Sequence, residues 1–232
     1  MSVMTELHRK VLFLLNDERP GRVLDAPSGT GLLSMQLKER GFSVLASDKN
    51  KSFFEQQDID FQEADLNKNL PFENNCFDYA TCVEGIEHLE DPHHLIREFH
   101  RVLKVGGKLI ITTPNILNVS SRLRYFLIGY FDFFGGYFAD PENIYVYHIN
   151  PVGFPELYQI LQNNGFTVEE ISANRDAVEA RKFMLRIILR ICLVFIKLLS
   201  RWKIRDAFLR KVLISRNLLK GEILILKCKK VT

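Results

Sequence analysis

The chain has 232 residues, 47% of them hydrophobic and 25% charged, with a formal net charge of +3. That length buries one full core and the composition is globular, so a single α/β domain over 1–232 with some elaboration is expected. The four cysteines (Cys76, Cys82, Cys192, Cys228) are widely spaced with no C-x-x-C pair, which argues against a zinc-thiolate site or a disulfide framework and fits a reducing, cytoplasmic compartment.

Residues 3–15 read as a short helix whose charges (Glu6, Arg9, Lys10, then Asp17 and Glu18) are not those of a signal peptide. Arg22-Val23-Leu24 reads as a buried strand ending in Asp25. It is followed by the turn Ala26-Pro27-Ser28-Gly29-Thr30-Gly31 and a helical pattern over Leu32–Arg40. Strand, glycine turn and helix together open a nucleotide-binding α/β unit. Gly29 and Gly31 have no Cβ and let backbone approach a ligand at the helix N-terminus. A dinucleotide-binding turn would read G-x-G-x-x-G, but after Gly29 and Gly31 the third glycine position is Ser34, and Pro27 precedes the pair where a glycine-rich turn would have glycine.

Gly41 stops the helix, and Phe42–Ser47 alternates as a second strand ending at Asp48. An acid at this point accepts two hydrogen bonds from vicinal ribose hydroxyls in adenosyl and NAD ligands alike; the alternative is a turn cap over Asp48-Lys49-Asn50. Ile59–Ala64 alternates again and ends in Asp65-Leu66, and Cys76–Val83 is a continuous buried strand leading into Glu84-Gly85-Ile86-Glu87-His88-Leu89. Asp91-Pro92 supplies an N-cap and a first-turn proline for a helix through Leu103. Gly106-Gly107 ends that helix, and Lys108–Thr113 is the fifth strand.

The pattern acid-x-x-x-Gly-x-Gly, joined to the run from Phe77 to Asn115 with its Glu-x-x-Glu-His, Asp-Pro, Gly-Gly and Thr-Pro-Asn, resembles class I S-adenosylmethionine-dependent methyltransferases over roughly residues 20–170. The resemblance implies a Rossmann-like, seven-stranded, mostly parallel sheet with helices on both faces and an antiparallel last strand. It also implies S-adenosylmethionine as cofactor, with Asp25 facing the ligand's cationic end and Asp65 meeting the adenine amino group. The implied cofactor contacts are Asp25, Ala26, Ser28, Gly29 and Gly31 in the turn, then Asp48, Lys49, Asp65, Leu66 and Val83. Pro27 departs from the commonest family pattern and removes one N–H from the turn.

Methyl transfer from a sulfonium is an in-line displacement, so donor and acceptor must be aligned and the acceptor deprotonated. Glu84, Glu87 and His88 share one turn, and His148 stands in Tyr147-His148-Ile149-Asn150-Pro151 before the next helix. Oxygen and imidazole donors suit a divalent cation such as Mg²⁺ or Mn²⁺. The Glu-x-x-Glu-His run with a later His resembles two branches of the family. These are the ubiquinone-biosynthesis O-methyltransferases and the small-RNA 3′-terminal 2′-O-methyltransferases, which use the set as a metal site. The alternative is that Glu87 and His88 shape the turn while His148 serves as a base or lid contact.

From 118 to 150 the chain is crowded with aromatics (Tyr125, Phe126, Tyr130, Phe131, Phe133, Phe134, Tyr137, Phe138), which reads as a lid over the acceptor at the carboxyl edge of the sheet. Val152–Asn164 reads as a helix, Phe166–Ile171 as the sixth strand and Glu222–Cys228 as the last.

Between those strands, residues 177–220 hold twelve Lys/Arg against two Asp/Glu, so a mildly acidic domain carries one basic segment. At about 100° per residue, Lys182, Arg186, Arg190, Lys197 and Arg201 form one stripe on an otherwise apolar helix. Its longest uncharged run is too short to cross a bilayer. This basic amphipathic insert is expected to contact a membrane on its cytoplasmic face through 182–202, which fits a hydrophobic or lipid-linked small-molecule acceptor methylated on oxygen; the alternative is that its helices pack on each other and on the domain, or form a dimer interface, leaving a basic solvated stripe. Nucleic acid is not the expected partner, because the basic residues alternate with apolar ones. The alternatives are an RNA 2′-O-methyltransferase using the basic segment for phosphates, and a methyltransferase-like module that binds a membrane or partner without turnover.

Overall fold

The computed structural model describes residues 3–134, 147–177 and 204–232, together with the helical positions 190, 191, 194, 195 and 198. In chain order the elements are α1 (Val3–Leu14), β1 (Arg22–Asp25), α2 (Leu32–Glu39), β2 (Ser43–Asp48), β3 (Asp60–Glu63), β4 (Phe77–Cys82), α3 (Pro92–Val102), β5 (Leu103–Pro114) and α4 (Val119–Ile128). They continue with α5 (Phe154–Asn163), β6 (Phe166–Ala173), α6 (Ala207–Leu213), α7 (Arg216–Lys220) and β7 (Ile223–Lys230). Single 3₁₀ turns occupy Lys51–Phe53 and Ile86–His88.

The strands form one seven-stranded sheet in the order β3-β2-β1-β4-β5-β7-β6, parallel except for β7, which runs antiparallel to both its neighbours. The central strands are covered on both faces, which is why β4 reads as a continuous apolar run, whereas β3 at the edge is largely exposed. Along β7, Leu224, Leu226 and Cys228 enter one core with Leu95, Phe99 and Leu157, whereas Ile223 and Ile225 enter the other with Leu7, Val11 and Leu37. α3 forms as its sequence dictates. Asp91 accepts from the His94 N–H at 2.9 Å, Pro92 opens the first turn, and Leu95, Ile96, Phe99 and Val102 make one fully buried stripe.

The strand order reverses between β1 and β4, the place where ligands bind in open α/β sheets. Register brings the carboxyl ends level there: Asp25 lies beside Ala46 of β2 and Thr81 of β4, and Cys82 lies beside Ile111 of β5.

Two elements differ from the sequence reading. β5 begins at Leu103 rather than Lys108, because Gly106-Gly107 sits in a register shift between Phe77↔Leu103 and Tyr79↔Lys108 instead of ending a helix. Gly106, at φ 83°, supplies the left-handed residue such a bulge needs. The connection after β5 contains α4, capped by Asn118, whose side chain accepts from Ser121 N–H at 2.8 Å, and closed by Gly129 at φ 80°. Periodicity hid this helix because it buries only Val119 and Ser121.

The segment between β6 and β7 leaves and rejoins the sheet at one place. Ala177 N–H donates to Lys220 O at 2.7 Å, Glu222 N–H donates to Arg175 O at 2.9 Å, and Asp176 bridges Gly221. Its carboxyl half packs into the core through Val212, Leu213, Leu218 and Leu219. Asn115, at the end of β5, fastens it by donating from Nδ2 to Leu218 O at 2.7 Å and Gly221 O at 2.8 Å. The basic stripe expected at Lys182, Arg186, Lys197 and Arg201, and the lid residues Tyr137 and Phe138, lie outside the described residues. Of that stripe only Arg190 is described, and it is exposed.

Candidate active site

The glycine turn is anchored from below and from the side. Asp25 is buried and receives the Ser34 hydroxyl at 2.5 Å and the Thr81 hydroxyl at 2.7 Å, one on each oxygen. Burial pushes its carboxyl up to about 6, opposed by those two hydrogen bonds and reinforced by the nearby Asp48. Where the resemblance had Asp25 face the ligand, both its oxygens are engaged by the protein, and it holds the turn against α2 and β4.

Asp48 spans the turn and the next loop. One oxygen accepts from Gly29 N–H at 2.9 Å and the other from Lys49 N–H at 2.7 Å. The two glycines do different work. A Cβ on Gly31 (φ 80°) would strike the Phe54 ring at 2.5 Å and Gln56 at 2.6 Å, so this position is set by packing. A Cβ on Gly29 (φ 52°) would meet nothing within 4 Å, so its backbone borders open space.

The Ser28 hydroxyl is buried with no hydrogen-bond partner among the described residues. Asp65 closes the far side of this corner. Burial would raise its pKa, but the Asn67 N–H at 3.1 Å and the Lys49 and Lys68 ammonium groups outweigh that and hold it below the ordinary value. Ala26, Leu66 and Val83 are buried and supply apolar wall. An accessible glycine backbone, an orphaned hydroxyl and two acids at successive strand ends fit an adenosyl ligand with a cationic, hydroxyl-rich body.

On the other side of β4 the chain turns sharply. Glu84 has φ 49°, rare for a residue with a side chain, and is held there by Thr112, whose hydroxyl oxygen accepts from Glu84 N–H at 2.9 Å. The same hydroxyl donates to Glu84 Oε1 at 2.9 Å. Burial lifts the Glu84 carboxyl to about 7, opposed by Thr112 and reinforced by Glu222.

The 3₁₀ turn that follows buries Glu87 completely, and neither carboxylate oxygen has a hydrogen-bond partner among the described residues. Its own carbonyl accepts Ile149 N–H and Asn150 N–H, both at 3.0 Å, which draws residues 147–150 onto the turn. His148 thereby meets His88 with ring centroids 4.7 Å apart and nearly perpendicular. One ligand atom from each of Glu87, His88 and His148 lies within 4.8 Å of the others. Glu84, which the sequence grouped with them, stands outside that cluster, committed to Thr112. The Phe133 and Phe134 rings lie beside His148, with centroids 6.4 and 5.3 Å from its own.

Charge states follow from burial. His88 Nδ1 lies 2.9 Å from the Tyr147 carbonyl, so that nitrogen carries the proton and Nε2 keeps its lone pair. Burial, with His88 adding to it, lowers His148 to about 4, so it is a neutral imidazole at pH 7. Burial, with Glu84 adding to it, raises the Glu87 carboxyl well above its ordinary value. A buried carboxylate with no donor needs either a proton or a cation, and two imidazoles beside it make a cation a chemically suitable occupant.

Ser34, Thr81 and Thr112 are the positioning residues that the sequence reading missed. Each left a trace: Ser34 stands where a third glycine would fall, and Thr81 and Thr112 are hydroxyls inside otherwise apolar strands.

Comparison with known proteins agrees with this geometry. Residues 3–171 match a family described as "Methyltransferase domain". The demethylmenaquinone methyltransferase of Thermotoga maritima is 27% identical over 179 residues, 71% of this chain and 78% of that protein. The ubiquinone biosynthesis O-methyltransferase of Pseudomonas aeruginosa is 32% identical over 112 residues, 43% of this chain and only 48% of its own length. Among solved structures, a SAM-dependent methyltransferase from Archaeoglobus fulgidus shares the fold with a TM-score of 0.66 at 19% identity, over 99% of this chain and 95% of that one. With the strand order, the glycine turn and the family match in accord, the chain belongs to the class I S-adenosylmethionine-dependent methyltransferases.

Proposed function

We propose that the protein transfers the methyl group of S-adenosylmethionine to an oxygen of a hydrophobic small molecule, such as a quinone-like ring or a lipid-linked sugar. The observation that carries this reading is the Glu87–His88–His148 corner with Phe133 and Phe134 against it. Glu87 is buried and the two imidazoles half-buried, so the corner offers bases with no fixed positive charge in the cluster. The names of the Thermotoga maritima and Pseudomonas aeruginosa relatives point to quinone-type acceptors, which suits aromatic walls.

When bound, S-adenosylmethionine supplies an electrophilic methyl group on a sulfonium. The Gly29 backbone and Ser28 hydroxyl border its methionine end. Asp48 and Lys49 serve the ribose, Asp65 and Leu66 the adenine, and Ala26 and Val83 the floor. Asp25 acts from beneath, by keeping the turn in place for them. His148, neutral at pH 7, has a lone pair to take the acceptor hydroxyl's proton. His88, fixed by the Tyr147 carbonyl, stays oriented beside it. The phenylalanines exclude water, so the proton passes between paired groups rather than to solvent.

The same corner suits a divalent cation held by Glu87, His88 and His148, which would lower the pKa of a bound hydroxyl. With Glu84 withdrawn, one carboxylate and two imidazoles favour Mn²⁺ over Mg²⁺.

The test is transfer of labelled methyl from S-adenosylmethionine into lipid extracts, before and after chelation and with Mn²⁺ restored. We expect label in the organic phase, loss of roughly a hundred-fold or more in rate for His148→Ala, and chelator sensitivity reversed by Mn²⁺. Label only in the aqueous phase would sink the hydrophobic-acceptor reading. Activity indifferent to chelator would leave His148 as a base without a metal.

A further inference from the structure

We infer that α4 is a docking helix for an anionic lipid bilayer surface, seated at the entrance to the acceptor corner. The inference rests on the reading of a hydrophobic acceptor and adds where that acceptor is met.

The motivating observation is apolar surface with no protein to cover it. Tyr125, Phe126, Leu127 and Ile128 are consecutive and 51, 82, 66 and 54% exposed, with Leu123 at 44% one turn earlier. Four consecutive residues span the whole circumference of a helix, so the last turn of α4 shows apolar surface on each of its sides, with Tyr125 stacked on Phe131 at 4.3 Å. Single exposed leucines are ordinary, but a cluster containing a phenylalanine this exposed marks a surface that meets something other than water.

A second stretch has the same chemistry. The helical positions Ile191, Val194, Phe195 and Leu198 follow the three-and-four spacing of one helix face, and all four are more than half exposed.

Charge and position identify the occupant. α4 carries Arg122 and Arg124 and no acid. Arg124 is paired with Asp132 at 2.5 Å, whereas the half-buried Arg122 donates only to the Leu117 carbonyl and has no acidic partner among the described residues. In the sequence, 177–220 holds twelve basic residues against two acidic ones, and α7, at its carboxyl end, packs beside α4. Apolar side chains on a helix without acidic residues, in a chain whose 177–220 segment is strongly basic, match anionic headgroups over acyl chains, and they match poorly a second copy carrying the same basic segment.

Position points the same way. From α4 the chain returns through Asp132, whose N–H donates to Ser121 Oγ at 3.0 Å, and then places Phe133 and Phe134 against His148. Phe133 and Ile149 are themselves 46 and 56% exposed, so the apolar surface continues to the mouth of the site. A protein partner on that surface would obstruct the entrance, whereas a bilayer would deliver a membrane-dissolved acceptor through it. No helix among the described residues is long and apolar enough to cross a membrane, so the contact is at the surface.

The test is flotation with phosphatidylcholine vesicles, with and without phosphatidylglycerol, for the wild type, Phe126→Asp/Leu127→Ser and Ile191→Ser/Phe195→Ser. Each protein is also checked by thermal melting and by calorimetry with S-adenosylhomocysteine. We expect the wild type to float with phosphatidylglycerol vesicles in a salt-sensitive way. The α4 variant should lose roughly ten-fold or more of its bound fraction while melting and binding S-adenosylhomocysteine as the wild type does. An α4 variant that floats like the wild type, or a wild type that floats with neither vesicle, overturns the inference. So does a wild-type dimer that α4 substitution dissolves without any flotation. Failure of S-adenosylhomocysteine binding in the wild type would instead strike the methyltransferase reading, so the two failures are separable.

Discussion

Asp48 holds two backbone N–H groups, one in the glycine turn and one in the loop after β2, and so sets the distance between the two halves of the cofactor corner. Asp48→Ala removes the acceptor for both, each worth roughly 1 kcal/mol where water can partly replace it. It also removes the proposed ribose contact. Calorimetry with S-adenosylhomocysteine should show affinity falling by about ten- to a hundred-fold, with the melting temperature lowered by roughly 4–8 °C; unchanged affinity would remove Asp48 from the cofactor site. Glu87 gives a second test at this scale. Its folded-state pKa is raised, so the stability contributed by its protonated form is complete below the unfolded value and is lost as pH rises through the folded one. Glu87→Gln cannot titrate. In the presence of chelator the variant should therefore gain on the wild type in melting temperature as pH rises above about 5, and with Mn²⁺ restored it should lose methyl transfer. Parallel melting profiles would show that Glu87 is not a buried, unpaired acid. The sequence located both residues by spacing, but it did not separate Glu84 from the cluster, because the Thr112 partner comes from another strand 28 positions on.

Among the elements, those with a buried stripe or a buried alternation were legible: α3 with its cap and proline, and β7 with its two faces. α4 was not, because it lacks a buried stripe, and the glycine pair in β5 was misplaced because a bulge and a helix stop use the same residue. The tie between β5 and α7 had no local signature at all. Asn115 is 2% exposed, donates to two carbonyls near α7 and accepts from Leu117 N–H at 3.1 Å. Asn115→Ala leaves those carbonyls without their donor and should cost about 2–3 kcal/mol, read as a shift in the urea midpoint with unchanged slope. A shift within error would mean that α7 is held by its leucines alone.

At the scale of the whole molecule, the sheet and its switch point were readable because one chain segment, from the glycine turn to Thr-Pro-Asn, carries family-specific residues at each strand end. The convergence of His148 on His88 was readable only as an expectation. It depends on Ile149 and Asn150 N–H binding the Glu87 carbonyl, a backbone contact that no side-chain pattern encodes. The join at Ala177–Lys220 and Arg175–Glu222 has a bearing on how such an enzyme changes over evolutionary time. Because the chain departs and returns through one seam, the stretch between that seam and the core-packed α6 can change in length at a cost that enters the free energy of the fold only as a slow logarithm. A lineage can lengthen, trim or exchange that outer stretch while the cofactor corner at the switch point, across the sheet, is inherited intact.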